Sequence, residues 1–285
     1  MKKLTLTLLA ALAFVSAGAQ TPTWETKIWE GTQPPTSNGI TGQEFDDGQH
    51  SNKVTVPTLT VYVPNKPCGL AILACPGGGY TDVWYQPEGR WMAQWYLNQG
   101  ITYAVLKYRL PNTHHQVPLE DVHRAMHLMH EHARQWGFTK LGIQGCSAGG
   151  HLAATAATHF TSAENRPDFQ ILFYPVITMD ASFTHQGSRE NLLGKNPSQK
   201  LVDLYSNEKQ VTRQTPPAFI MHSSNDDVVP LRNTLQYAQA LNDHGVSVTM
   251  HIYPDGGHGW CYQESFTWKD LWKPELAEWL RRIER

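Results

Sequence analysis

One short stretch, Gly145-Cys146-Ser147-Ala148-Gly149-Gly150-His151, constrains this chain more than any other. Residues 140–144 before it have the pattern of a short buried strand, and residues 149–158 after it form an Ala-rich, helix-favouring run. The chain must therefore turn within a few residues, and a Cβ at either glycine flanking Ser147 would collide with the neighbouring chain. Such a strand-turn-helix elbow, G-x-S-x-G, holds its serine at the top of a sheet, facing the N–H groups and positive dipole end of the helix. Ser147 is therefore a candidate nucleophile, and the alternative is a tight turn with a solvated serine.

The first 19 residues have the features of an export signal. They contain two lysines, an apolar run over residues 4–15, and a small-x-small sequence at residues 17–19. The apolar run is shorter than the roughly 20 residues that a membrane span needs, and no later stretch approaches that length. We expect residues 1–19 to be a cleaved signal peptide and the protein to be secreted or periplasmic, starting at Gln20.

Composition restricts the class of protein. The length and a hydrophobic content of 40% suffice for one large α/β domain or two small ones, and we favour a single domain. A net charge of −2 with scattered basic residues argues against nucleic acid as a partner. Four cysteines are too few for a disulfide scaffold and lack the spacing of zinc ligands, and Cys146 is interpreted as a small buried filler. His123, His127 and His130 stand at helical spacing, which we interpret as a solvated or half-buried helix face and not as a metal site.

Two segments stand apart from the predicted domain at residues 53–285. Residues 20–52 are rich in Pro, Gly, Thr, Ser and Asn, so we expect them to run over the surface before the fold begins, with Trp24 and Trp29 as anchors. The segment at residues 176–216 is long, and its composition is polar and mixed. They form either a cap-like insertion over the strand ends or an ordinary connection with one or two helices.

The order of elements predicts a doubly wound α/β fold, a three-layer sandwich with a mostly parallel sheet and helices on both faces. Residues 69–75 form a continuous apolar run that is typical of a central parallel strand. The other predicted parallel strands and the helices alternate along the chain: strands at 101–108, 140–144, 170–174, 218–222 and 246–253, and helices at 88–98, 119–136 and 149–158.

A glycine loop, Pro76-Gly77-Gly78-Gly79-Tyr80, directly follows the strand at 69–75. Ligands of such sheets bind at the carboxyl ends of the strands, and successive glycines let backbone N–H groups turn toward a ligand. We therefore assign an oxyanion hole to the N–H groups of Gly78, Gly79 and Ala148. A flexible loop is one alternative. A phosphate-binding loop is another, although no G-K-[ST] follows the glycines.

Two further polar side chains follow later strands. Asp226 stands four residues before Pro230 in a D-x-x-V-P pattern, and we prefer it to Asp227 as the carboxylate that orients a histidine; Asp227 is then a turn or helix-cap residue. His258, between two glycines after the last strand, can reach Ser147 with Nε2 and Asp226 with Nδ1. The sequence thus predicts a catalytic triad.

The order Ser147, Asp226, His258, with the glycine loop far upstream, resembles the α/β-hydrolase fold over nearly the whole mature chain. Residues 174–177, 187–189, 192–194 and 257–259 are similar to secreted bacterial carbohydrate esterases of the acetylxylan esterase group. In related lipases the glycine loop begins His-Gly-Gly-Gly, and here Pro76 replaces that histidine. The resemblance implies a serine carboxylesterase that removes acetyl groups from a carbohydrate such as acetylated xylan, with no cofactor.

The loops around the predicted site are aromatic and polar. The chain has ten tryptophans and eleven tyrosines, and Tyr80, Trp84 and Trp260 fall in rim loops where flat rings can stack on sugars; structural packing is the alternative. Few aliphatic residues occur in segments 80–87, 178–196 and 256–263, which favours a small acyl group over a lipid chain.

Two other functions stay open at this level. A peptidase of the prolyl-oligopeptidase kind shares the Ser, Asp, His order, but such enzymes carry an additional propeller domain for which we find no room in this chain. A noncatalytic carbohydrate-binding protein with a vestigial triad is the second, and the intact triad and glycine loop argue against it.

Overall fold

The computed structural model describes residues 20–284, so the expected signal peptide at 1–19 lies outside the described residues. An eight-stranded sheet has the strand order β1-β4-β7-β5-β8-β9-β10-β11. The strands from β7 to β11 in this order are parallel, and β1 and β4 pair antiparallel at one edge. The strands of this sheet are β1 Trp24–Lys27, β4 Thr58–Tyr62, β5 Gly69–Cys75, β7 Thr102–Lys107, β8 Phe138–Cys146, β9 Gln170–Phe173, β10 Ala218–Ser223 and β11 Val248–Tyr253. The α/β fold and the central position of the run at 69–75 are confirmed.

Helices cover both faces of this sheet. The adjacent residues Gln144 and Gly145 of β8 face opposite ways, and Gln144 accepts a hydrogen bond from Tyr96 of α1 whereas Gly145 faces α4. α2 packs on α4, and α8 meets α1 where Trp272 contacts Trp95. The helices are α1 Ala93–Asn98, α2 Val117–Glu131, α3 Ala133–Trp136, α4 Ser147–Thr158, α5 Gln186–Leu193, α6 Gln199–Tyr205, α7 Arg232–Asp243 and α8 Lys269–Glu284, with 3₁₀ turns at Arg90–Met92 and Asn207–Lys209.

The N-terminal segment is part of the domain, so the expectation that residues 20–52 precede the fold is wrong. β1 pairs with β4 at the edge of the sheet, and the Trp29 indole donates to the buried carboxylate of Asp121 at 2.7 Å. The Asn38 side chain bonds two carbonyl groups of the domain, those of Val54 and Leu110. β1 has only four residues and is half-buried at alternate positions, which leaves no apolar run to reveal it in the sequence.

A small second sheet joins this segment to the glycine loop. Its strands are β2 Phe45–Asp46, β3 Ser51–Asn52 and β6 Asp82–Val83, paired antiparallel in the order β2-β3-β6. Because β6 begins three residues after Gly79, this sheet fixes the far side of the loop.

The connection between β9 and β10 carries two helices, α5 and α6. It has the helices of an ordinary connection, and α5 also lies against the glycine loop, where the Asn191 side chain donates to the Gly79 carbonyl at 2.8 Å. No helix within residues 20–284 combines the length and apolarity needed to cross a membrane.

Candidate active site

The serine elbow has the backbone that its glycines predict. β8 ends at Cys146, and Ser147 begins α4 with a φ of 54°, a left-handed conformation that costs a non-glycine residue free energy. A Cβ on Gly145 would overlap the Gly149 carbonyl oxygen, and a Cβ on Gly149 would overlap the Cys75 carbonyl oxygen. The requirement for glycine on both sides of Ser147 is therefore confirmed as a matter of space.

The three side chains selected from the sequence meet at the carboxyl ends of β8, β10 and β11. His258 Nδ1 lies 2.7 Å from Asp226 Oδ2, and His258 Nε2 lies 2.9 Å from Ser147 Oγ. A carboxylate can only accept, so Nδ1–H donates to Asp226 and Nε2 keeps the lone pair that accepts the Ser147 hydroxyl. Ser147 is only 6% exposed, so this chain of hydrogen bonds is largely shielded from water.

Asp226 is held as an anion by four hydrogen bonds. Its Oδ1 accepts from the N–H groups of Val228 and Val229 at 2.9 and 2.8 Å, and its Oδ2 accepts from His258 and from His222 Nε2 at 3.1 Å. Burial raises the pKa of Asp226, but the hydrogen bonds from His222 and His258 outweigh it and hold the pKa well below its usual range. Asp227 is exposed.

The glycine loop holds the backbone geometry of a candidate oxyanion hole. Gly78 and Gly79 have φ values of 127° and 62°, and a Cβ on Gly78 would overlap the Asp82 carbonyl oxygen. No acceptor among residues 20–284 bonds the N–H groups of Gly78, Gly79 or Ala148. These donors, one of them at the first turn of α4, are therefore available to an anion formed beside Ser147.

A buried carboxyl group, which the sequence did not predict, links the glycine loop to the loop that carries His258. Glu88 Oε2 accepts from the Gly77 N–H at 2.7 Å, and Oε1 accepts from the Tyr174 hydroxyl at 2.9 Å. The same hydroxyl accepts the Cys261 N–H at 3.1 Å, and the Tyr174 ring meets the His258 ring edge-on. Burial raises the pKa of Glu88. Glu88 stands 11 residues from Gly77 and 86 from Tyr174, so no local pattern reveals the link.

Two of the three aromatic residues predicted to stack on sugar are buried by packing. Trp260 is 3% exposed, its ring stacks on Phe266 with centroids 4.0 Å apart, and its N–H donates to Ser223. Tyr80 is also 3% exposed, and its hydroxyl lies 2.8 Å from Nδ1 of the buried His151. Packing, the alternative for these two residues, therefore accounts for most of each ring, and a sugar contact by Tyr80 or Trp260 stays a prediction.

Trp84 remains a candidate for sugar stacking. It is 40% exposed, and His50 stacks on it with ring centroids 4.3 Å apart. Its ring also borders the glycine loop, since a Cβ on Gly78 would lie 3.0 Å from Trp84 Cδ1. An exposed indole therefore stands beside the candidate oxyanion hole.

A cavity of about 540 Å³ opens next to the loop. Its lining is mixed, and three asparagines contribute to it. The lining residues include Asn52, Asn112, Asn191, Lys53 and Asp82 together with Tyr80 and Leu110. Asn191 lines the cavity and also bonds the Gly79 carbonyl, so the cavity adjoins the candidate oxyanion hole.

The thiols near the site are not poised for chemistry. Cys146 and Cys261 are buried and free, with sulfur atoms 3.3 Å apart, and burial raises the pKa of Cys146 well above its usual value. The interpretation of Cys146 as a buried filler is confirmed. Residues 20–284 contain no group of three or more His, Cys, Asp or Glu side chains arranged to hold a metal ion.

Comparisons with known proteins agree with this geometry. A family model described as alpha/beta hydrolase fold matches residues 75–262. An acetylxylan esterase of Xylanibacter ruminicola is 36% identical over 257 residues, which cover 88% of this chain and 52% of that protein. An endo-1,4-beta-xylanase B of Butyrivibrio fibrisolvens is 36% identical over 237 residues, which cover 76% of this chain and 36% of that protein. The chain thus spans about half or less of these two relatives.

A solved structure covers nearly all of the chain. The crystal structure of an acetyl ester-xyloside bifunctional hydrolase from Caldicellulosiruptor lactoaceticus superposes with a TM-score of 0.78 at 34% identity, over 94% of this chain and 98% of that one.

Proposed function

Because the chain belongs to the alpha/beta hydrolase fold family, we propose that it is a serine esterase that removes acetyl groups from xylan or xylo-oligosaccharides. The observation that carries the proposal is the position of His258, whose two ring nitrogens bridge Ser147 and Asp226 at 2.9 and 2.7 Å. That arrangement activates a serine hydroxyl for attack on a carbonyl carbon.

The mechanism follows from the protonation states. His258 Nε2 takes the Ser147 proton as Oγ attacks the ester carbonyl, and Asp226 stabilises the charged imidazole. The N–H groups of Gly78, Gly79 and Ala148 stabilise the oxyanion. His258 then gives the proton to the leaving sugar oxygen, which breaks the ester bond and leaves acetyl-Ser147. A water molecule then attacks this second ester while His258 takes one of its protons. His258 returns that proton to Ser147 Oγ as the acyl–oxygen bond breaks, which restores the serine and releases acetate.

The substrate class is supported by the cavity and by the relatives. Amide and hydroxyl side chains beside the glycine loop match the hydroxyl groups of a glycan, and the exposed Trp84 offers an aromatic face nearby. One relative is named an acetylxylan esterase, and the solved structure is named an acetyl ester-xyloside bifunctional hydrolase. Few aliphatic side chains occur in the rim segments, which suits acetyl better than long acyl groups.

Acetate release from acetylated xylan and its oligosaccharides tests the proposal, with p-nitrophenyl acetate, p-nitrophenyl octanoate and a prolyl anilide as comparison substrates. We expect acetate from the glycans, faster cleavage of the acetate than of the octanoate, and no anilide cleavage. Ser147→Ala, assayed in parallel, identifies the background rate. Octanoate preference, anilide cleavage, or no acetate from any glycan would refute the proposed substrate.

We also propose export from the cytoplasm with cleavage after Ala19. The support is the charged, apolar and small-residue order of residues 1–19. Fractionation of the native host and N-terminal sequencing test it, with Gln20 as the expected first residue. Full-length protein retained in the cytoplasm would contradict it.

A further inference from the structure

Helix α5 and its N-cap residue His185 have no role in the mechanism above. His185 is the N-cap of α5 and Gly194 is its C-cap. The helix packs against the glycine loop. The Asn191 amide donates to the Gly79 carbonyl, and a Cβ on Gly79 would lie 3.5 Å from Cε1 of His185. The imidazole of His185 therefore lies directly against Gly79.

The hydrogen bonds of His185 fix where its ring proton is. The backbone N–H of Ser188 points at His185 Nδ1 from 3.2 Å, and the buried Ser188 hydroxyl lies 2.8 Å from the same nitrogen. A backbone N–H can only donate, so Nδ1 carries the lone pair and the neutral ring carries its proton on Nε2. Burial lowers the pKa of His185, with a smaller contribution in the same direction from His258, which keeps the ring neutral at pH 7.

In the part of the chain that the structure describes, both hydrogen bonds of the His185 ring are at Nδ1 and none is at Nε2, and the ring is only half-buried. His258 is close enough to lower the pKa of His185 electrostatically, and the His185 ring also lies against Gly79. Asn191, one and a half turns along α5, contacts the same Gly79 and lines the cavity. A donor fixed in direction and left without a partner at this point is suited to an incoming oxygen atom.

We propose that His185 is a substrate-binding residue whose Nε2–H donates to a sugar oxygen next to the acetylated hydroxyl group. The inference rests on the proposed function and names a contact within that site. A locked tautomer matters here, because a hydroxyl or ring oxygen of the sugar then finds a donor without any rearrangement of the ring. A small aryl ester offers no oxygen at that place, so the contact distinguishes glycans from p-nitrophenyl acetate.

Two substitutions separate this contact from the capping role of His185. His185→Asn keeps a side-chain acceptor for the Ser188 N–H, since Asn is a good N-cap, but does not reach the position of Nε2. His185→Gln extends an N–H donor farther. The remote and exposed His244→Asn serves as a control for loss of a histidine.

The measurements are kcat/KM on an acetylated xylo-oligosaccharide and on p-nitrophenyl acetate, with Tm for each variant. We expect His185→Asn to lose about 10- to 100-fold on the oligosaccharide, the effect of one unmade hydrogen bond, and less than about 3-fold on the aryl ester. His185→Gln should recover part of the loss, and Tm should stay within a few degrees.

Equal losses on both substrates, or full glycan activity in His185→Asn, would overturn the inference and leave the esterase proposal standing. Wild-type protein that releases no acetate from any glycan would refute the proposed function itself, and this inference with it.

Discussion

Replacing Asp226 by asparagine should inactivate the enzyme through the tautomer of a neighbouring histidine. An amide has one oxygen for the four donors that the carboxylate now serves. The backbone N–H groups of Val228 and Val229 cannot change tautomer, so the amide oxygen must stay with them. The NH₂ group then faces His258, which can adapt only by moving its own proton from Nδ1 to Nε2.

That shift removes the base, because a protonated Nε2 cannot accept the Ser147 proton. Loss of the correct tautomer in a serine triad costs about 10⁴-fold in kcat, so we expect Asp226→Asn to lose about 10³- to 10⁴-fold. This corresponds to about 4 to 5.5 kcal/mol of activation free energy. His222 can keep its bond to the Val229 carbonyl, so the variant should fold.

The assay is kcat on p-nitrophenyl acetate, with Asp227→Asn as the matched control. Asp227 is exposed, and its variant should stay within about 3-fold of wild type. The reverse ranking, or an Asp226→Asn variant that keeps more than a tenth of the activity, would refute the assignment of the carboxylate.

The difference in unfolding free energy between wild type and Asp226→Asn should depend on pH. Hydrogen bonds lower the pKa of Asp226 in the folded state, so its contribution to the free energy of unfolding is present above its ordinary pKa of 3.8 and is lost as the pH falls below it. Urea unfolding at pH 6 and at pH 3 should therefore show a wild-type advantage over Asp226→Asn that shrinks at the lower pH. A constant difference would contradict this.

Three further substitutions test other parts of the site. Ser147→Ala should lose at least about 10³-fold in esterase activity while Tm stays within a few degrees, and near wild-type turnover would end the serine-hydrolase assignment. Glu88→Gln leaves one acceptor where the structure uses two, so urea unfolding should show a loss of about 1–3 kcal/mol, with lower kcat on every ester; unchanged stability would contradict the buried link. Trp84→Ala should weaken glycan substrates more than p-nitrophenyl acetate, whereas the similarly exposed Trp91→Ala should not, and equal effects would remove Trp84 from the glycan site.

Residues that follow strands were predictable from the sequence, because short-range signals mark them. Ser147, Asp226 and His258 each lie within five residues after the end of a β-strand, among glycines or before a proline. Parallel strands bring their carboxyl ends to one edge of the sheet. The order of elements similarly predicted the sheet. Local periodicity and turn residues are enough to predict the position of a side chain when the strand order alone places it.

Residues whose roles depend on distant partners were not predictable. Trp260 is 3% exposed and Trp84 is 40% exposed, but the sequence around them does not distinguish the two. The burial of Trp260 depends on its ring contacts with Phe266 and Tyr174. The role of Glu88 was not predictable for the same reason, because it depends on hydrogen bonds to both Gly77 and Tyr174. β1 was missed for another reason, since a four-residue edge strand buries too little to show a pattern.

Backbone strain is concentrated around the site, which bears on why the chain has this architecture. Among residues 20–284, six non-glycine residues have a positive φ, and each lies at the serine elbow, after β9, or in or beside the cavity: Ser147, Tyr174, Tyr80, Lys53, Asn112 and Thr113. Such conformations cost about 1–3 kcal/mol each and persist only where the surroundings over-determine them. Here the surroundings include the buried bonds of Tyr174 to Glu88 and of Tyr80 to His151, and the bond from the N–H of the exposed Thr113 to the Asn191 carbonyl. The strained residues and the bonds that hold them lie near the same strand ends as the triad. We therefore infer that part of the free energy of folding offsets the strain that keeps these loops in the conformation for binding substrate.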